Sequence, residues 1–145
     1  MSKQTDILRE IVDEDVSRNK LIRILKKENI ELRGRFNAPI VCICGSTRFK
    51  QLWIDETARL TMAGNIVLPV GVYGYYIKDQ ITVEEKVMLC RLHRSKIVLC
   101  TWVWVLNPNN YIGVGTAAQI EYAESLGRPV RYLLKEFPNY SGPLE

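Results

Sequence analysis

Ile40-Val41-Cys42-Ile43-Cys44-Gly45-Ser46-Thr47-Arg48-Phe49 decides the fold. Its first five residues are continuously apolar, the pattern of a parallel strand buried on both faces. Gly45-Ser46-Thr47 then breaks the run, and helical periodicity begins near Arg48 and continues to about Ala63, with Gly64 as its stop. The same grammar recurs downstream. Ile66–Val70 predicts a second strand, Gly71–Gln80 a Gly/Tyr-rich loop, and Thr82 the cap of a helix from Val83 to about Arg94. Ile97–Cys100 and Trp102–Leu106 predict one or two strands. Asn107–Asn110 predicts a turn, Gly113–Thr116 the opening of a last long helix closed by Gly127, and Pro129–Leu133 a final short strand. Phe137–Glu145 predicts an irregular tail. Strands alternating with helices at this spacing predict a Rossmann-like, doubly wound α/β fold with a mainly parallel sheet of about five strands.

Outward from this core, residues 1–36 predict a separate N-terminal helical arm, and 37–145 the α/β domain. Ile7, Leu8, Ile11 and Val12, then Leu21, Ile22, Ile24 and Leu25, mark two short amphipathic helices. Ser17 is a suitable N-cap for the second, and Gly34 its stop. Acids gather at the front of the arm and bases at the back. Residues 17–35 resemble a helix-turn-helix recognition helix and its tail, which makes DNA a candidate partner. Against that stand the acids at the turn and the lack of a third helix before Pro39. The plainer alternative is an amphipathic arm packing on the domain or on a second copy.

Composition narrows the function classes. The chain has 145 residues, is 47% hydrophobic and 25% charged, and carries a formal net charge of +4. This is the balance of an ordinary globular protein, and it permits phosphate ligands without demanding nucleic acid. No apolar run reaches the roughly 20 residues needed to span a bilayer, and Met1–Asp6 has no signal-peptide character. A cytoplasmic protein without membrane partners is expected. Four cysteines and one histidine show no C-x-x-C and no metal-ligand spacing, so neither a metal nor a cofactor is expected, and the thiols read as reduced and mostly buried. Cys42 and Cys44 share one strand face. Cys90 and His93 could share a helix face, but lack a third group to orient a nucleophile–base pair.

In doubly wound sheets ligands sit beyond the carboxyl ends of the strands. Three loops fall there. In the first, Gly45 allows close backbone approach, Ser46 and Thr47 offer hydroxyls and helix N-terminal N–H groups, Arg48 can clamp a phosphate, and Phe49 follows. Simple helix capping is the alternative. In the third, Asn107, Asn109 and Asn110 offer amides, while Gly113 and Gly115 allow close approach ahead of Thr116; an ordinary turn is the alternative. Between them, Tyr73, Tyr75 and Tyr76 could stack on a base, lid the cleft or fill a dimer contact. Trp102 and Trp104 share a face and read as core or subunit interface.

Cys44–Lys50, Leu92-His93, Lys96-Ile97, Val105-Leu106-Asn107, Tyr111-Ile112-Gly113, Thr116 and Ile120–Val130, in this order, resemble the nucleoside 2-deoxyribosyltransferase-like superfamily, particularly its small bacterial and phage members. The resemblance covers roughly residues 39–134 and leaves the arm outside. It implies a homo-oligomer with a nucleoside or nucleotide ligand. In catalytic relatives a Glu at the start of the last long helix attacks the anomeric carbon, or assists water, to cleave the N-glycosidic bond. Anchored on Tyr122-Ala123, that position here is Gln119, whose neutral amide cannot form a glycosyl ester. Val98 and Thr101 stand where relatives tend to carry Asp, and Cys90 where an acid is common. Glu121 lies two residues from Gln119, about 200° around a helix. The expectation is a nucleotide- or nucleoside-binding protein with weak or no N-glycosidic activity. The alternatives are an active N-glycosidic hydrolase or deoxyribosyltransferase using a rearranged acid such as Glu121, and a DNA-binding ligand sensor acting through the arm.

Overall fold

The computed structural model of the chain describes residues 37–142 continuously, together with residues 3, 6, 20 and 23–28. The chain divides into two units, Met1–Asn37 and Ala38–Glu145. In the first, residues 23–28 are helical. The expected cap at Ser17, stop at Gly34 and most of the recognition-helix-like segment lie outside the described residues.

The second unit contains four strands: β1 (Ile40–Gly45), β2 (Ile66–Leu68), β3 (Trp102–Leu106) and β4 (Val130–Tyr132). They form one sheet in the order β2-β1-β3-β4, and every pairing is parallel. The helices are α1 (Lys50–Met62), α2 (Val83–Leu99), α3 (Val114–Ser125) and α4 (Leu133–Glu136). A 3-10 turn, Pro108–Asn110, follows β3. The unit is therefore a Rossmann-like α/β fold. Among the described residues, no helix is long and apolar enough to cross a membrane.

The strand count is four rather than about five, because Ile97–Val98–Leu99 continues α2 instead of forming a strand. Short apolar runs do not distinguish helix from strand by composition. Here the helix places Ile97 one turn after His93, and both are buried while Val98 and Leu99 remain exposed. Cys100 ends the helix in extended backbone, and β3 follows directly. The last strand is shorter than expected, ending at Tyr132, and from Phe137 to Gly142 the described tail is irregular, as expected. Leu133 opens α4 and joins the core, and Tyr140 packs against it.

Alternation along β1 builds two cores. Val41 and Ile43 face α1, meeting Leu52, Trp53 and Leu60, with Trp104, Leu106 and Leu133 completing the cluster. Cys42 and Cys44 face the other way, among Ile97, Cys100, Val103, Val105, Ile120 and Ala123. Trp102 and Trp104 share the α1 face, their rings edge to face at 6.0 Å. Each large side chain buried in these layers stabilises the fold by about 1.5–3 kcal/mol. β1 has β2 on one side and β3 on the other, with α1 and α2 on opposite faces. The carboxyl ends of β1 and β3 therefore flank the switch point of the sheet, where α/β folds form their crevice.

Candidate functional site

The loop Gly45–Phe49 leaves β1 at this switch point and is held from several sides. Gly45 is required by proximity: a Cβ there would stand 2.9 Å from Leu106 Cβ on β3. Ser46 is half-buried. Its carbonyl accepts from Trp53 Nε1 at 3.0 Å and from the Phe49 N–H at 3.2 Å, and its Oγ accepts from the Arg48 N–H at 3.4 Å. Thr47 Oγ1 accepts from the Tyr75 N–H at 2.9 Å, and the Tyr76 hydroxyl donates to the Arg48 carbonyl at 3.0 Å. The Tyr-rich loop after β2 is thus tied down on the loop after β1. Tyr75 and Tyr76 meet edge to face, and Lys50 Nζ lies 5.5 Å from the centroid of Tyr73.

Arg48 is the centre of this arrangement. Its guanidinium carbon lies 4.6 Å from the Tyr111 ring centroid and 5.5 Å from that of Tyr75. The two rings come from the loops after β3 and β2, so three loops converge on one cation. Phe49 packs edge to face on Tyr111. Arg48 Nε is buried and makes no hydrogen bond, and among the described residues the guanidinium has no carboxylate within ion-pair distance.

The remaining expected residues divide by role. Asn107 is buried, and its Oδ1 accepts from the Leu134 N–H at 3.1 Å, so its side chain ties β3 to α4. Asn109 and Asn110 are exposed and adopt left-handed backbone (φ 53° and 59°), a conformation that Asn tolerates well. Gly113 underlies the Tyr111 hydroxyl, 3.3 Å from where a Cβ would sit, whereas a Cβ on Gly115 would meet open space. Thr116 is buried with Ile120 and Ala123 on the inner face of α3. Gln119 borders that face, and its Oε1 is buried without a hydrogen-bond partner. Glu121 is exposed on the same helix.

The helix N-termini that follow the three strands are not alike. Neither α1 nor α3 has a side-chain cap or an acid in its first turn. Their N-terminal N–H groups therefore present uncompensated partial positive charge. By contrast, α2 opens with a full capping box between Thr82 and Glu85 and carries Glu84 and Glu85 in its first turn.

Two clusters escape sequence reasoning. On α1, Glu56 is buried. It accepts twice from Arg59 Nε and once from Arg59 Nη2, and takes the Trp104 Nε1 proton at 2.8 Å. The hydrogen-bonded carboxylate raises the Arg59 pKa against the opposing effect of burial. A groove of about 520 Å³ lined by Glu56, Arg59, Phe137 and Tyr140 lies beside this pair. Since the carboxylate is spent on Arg59 and Trp104, its role is structural. The signal in sequence was an acid at an inward helical position between Leu52, Trp53 and Leu60.

On the other face, His93 Nε2 lies 3.8 Å from Cys42 Sγ and 3.4 Å from Cys44 Sγ. All three residues are buried, and their donor atoms lie within 4.8 Å of one another. The fold thus supplies a Cys/His cluster where the sequence shows no metal-ligand spacing. Hydrogen bonding from the Cys44 thiol, and secondarily from His93, lowers the Cys42 pKa to about 6 despite burial. That same bond and desolvation push Cys44 up. Cys90 is exposed and is not a partner of His93.

The chain matches no protein-family model, and neither curated proteins nor solved structures give a match to it.

Proposed function

We propose that the cleft over the carboxyl ends of β1 and β3 binds an anionic, ring-bearing metabolite, a nucleotide or phosphorylated nucleoside, with little or no N-glycosidic chemistry. One observation carries the reading: Arg48 is held between Tyr75 and Tyr111 with a buried, unbonded Nε and, among the described residues, no carboxylate within ion-pair distance. Arginine so placed is a preorganised donor for phosphate. The uncapped starts of α1 and α3 reinforce it, and the exposed tyrosine faces offer a stacking surface.

The chemistry of the lining argues for binding over bond cleavage. Covalent glycosyl transfer needs an ionised carboxylate aimed at the anomeric carbon. Gln119 holds a neutral amide at the position where the family resemblance puts that carboxylate. Glu121 lies on the exposed side of α3. An amide in place of a carboxylate at Gln119 also repels a phosphate less.

The test incubates the full chain with nucleosides, deoxynucleotides and dinucleotides, following thermal stabilisation and free base together. Saturation at 100 times Kd should stabilise the fold by about 2.7 kcal/mol. Stabilisation by phosphorylated ligands without base release is the expected result. Base release abolished by Glu121→Gln would replace this reading with the enzymatic one, and no stabilisation by any ligand would remove it.

A further inference from the structure

We propose that Cys42 Sγ, Cys44 Sγ and His93 Nε2 form a binding site for a thiophilic d10 metal ion, with zinc(II) as its expected occupant. The inference is independent of the nucleotide reading and lies on the opposite face of β1 from α1.

Three observations carry it. The first is donor geometry. Zinc bonds of about 2.3 Å to sulfur and 2.0–2.1 Å to imidazole nitrogen give a tetrahedral S···N edge of about 3.6 Å. The two S···N separations are 3.4 and 3.8 Å, on either side of that edge, and all three donor atoms lie within 4.8 Å of one another. The second is charge. Two thiolates, one neutral imidazole and a divalent ion sum to zero, which suits a site where Cys42 and Cys44 are fully buried. Both thiol protons leave to solvent on binding, so metal uptake releases two protons. Soft thiolate donors with imidazole favour zinc or copper(I) over hard cations.

The third is the weak anchoring of α2. Of its 17 residues only His93 and Ile97 are buried. A metal bridge from His93 to β1 would pin this helix to the strand whose last residue, Gly45, opens the cleft loop. Cys100 belongs to the same core cluster, but its thiol donates to the Ile97 carbonyl at 3.1 Å. The protein ligand set is therefore the three groups that converge, and a neutral exogenous ligand such as water completes the tetrahedron.

Cobalt(II) is the probe. Titrated into the reduced, metal-free full chain, it should give thiolate-to-metal charge transfer and strong visible bands of a tetrahedral ion, saturating at one equivalent. Zinc should abolish both bands at one equivalent. Cys42→Ser and His93→Gln should lose the charge-transfer band or weaken zinc affinity at least tenfold, while Cys90→Ser, which alters the exposed cysteine of the same helix, should bind as the wild type does. If the variants or the metal-free chain do not fold, elemental analysis of wild-type protein produced with supplemental zinc decides the matter. One zinc per chain supports the site. Zinc well below stoichiometry, a wild-type titration without charge transfer, or loss of binding in Cys90→Ser overturns it and leaves the cluster as thiols hydrogen-bonded to an imidazole.

Discussion

The Arg48 guanidinium stacks on the ring of Tyr111 at 4.6 Å, joining the loop that leaves β1 to the loop that leaves β3. These residues are 63 apart in sequence and meet only because β1 and β3 are neighbours in the sheet. The contact fixes a planar cation over the switch point, with its donors aimed by the stack rather than by a carboxylate. Lysine would keep the charge but lose both the fork and the stacking plane. Arg48→Lys should therefore weaken binding of a nucleoside monophosphate by about tenfold, corresponding to roughly 1.4 kcal/mol. Thermal stability of the unliganded variant should stay close to wild type. Isothermal titration alongside a melt checks both halves.

Gly45 carries a steric prediction. An added Cβ would collide with Leu106 Cβ at 2.9 Å, and Leu106 is fully buried. Overpacking of this kind costs roughly 1–3 kcal/mol. Gly45→Ala should lower the denaturation midpoint accordingly. Gly115→Ala, inside α3 and with nothing within 4 Å of the new carbon, should instead raise stability by about 0.4–1 kcal/mol.

Glu56 is a structural acid. Removing its carboxylate leaves Trp104 Nε1 buried without an acceptor, while the partly exposed Arg59 can turn to water. Glu56→Ala should destabilise the domain by roughly 1–3 kcal/mol. Glu56→Gln keeps an acceptor for Trp104 and should cost less. Ligand binding at Arg48 should be unchanged in Glu56→Gln, as measured by titration against denaturant-unfolding curves.

The thiols should fall into two classes. Cys90 is exposed, while Cys42, Cys44 and Cys100 are buried. A chromogenic disulfide reagent should modify one thiol quickly in the native chain and the other three only on unfolding. Cys90→Ser should remove the fast phase and nothing else. Thiolate reactivity needs access as well as charge, so the lowered pKa of Cys42 should not give it fast chemistry in the folded state.

Much of the fold was legible because buried parallel strands are written as unbroken apolar runs. β1 and β3 declare themselves this way, and Gly64 and Gly127 mark helix ends with positive φ. Ile97–Leu99 misled for the same reason, since an apolar run at the end of a helix resembles a strand. The His93/Ile97 spacing was the available signal. The candidate cleft was half legible: Gly45–Arg48 announced itself locally, but the partnership with Tyr111 depends on strand order. The Cys42/Cys44/His93 cluster was hidden more deeply. Strand alternation puts both thiols on one face, but His93 arrives from 49 residues beyond Cys44, and only the crossover of α2 delivers it. Asn107 shows the converse, where an amide typical of a ligand loop is used to fasten β3 to α4.

The most direct test of the cleft compares a nucleoside with its 5′-monophosphate by calorimetric titration, in wild type and in Arg48→Gln. A charge-assisted arginine–phosphate bond contributes about 1.5–3 kcal/mol, so wild type should prefer the monophosphate by roughly ten- to a hundredfold. That preference should collapse in Arg48→Gln while nucleoside binding changes little. Equal affinity of wild type for the two ligands, or a preference that survives in Arg48→Gln, would contradict the assignment of Arg48 as the phosphate-binding residue.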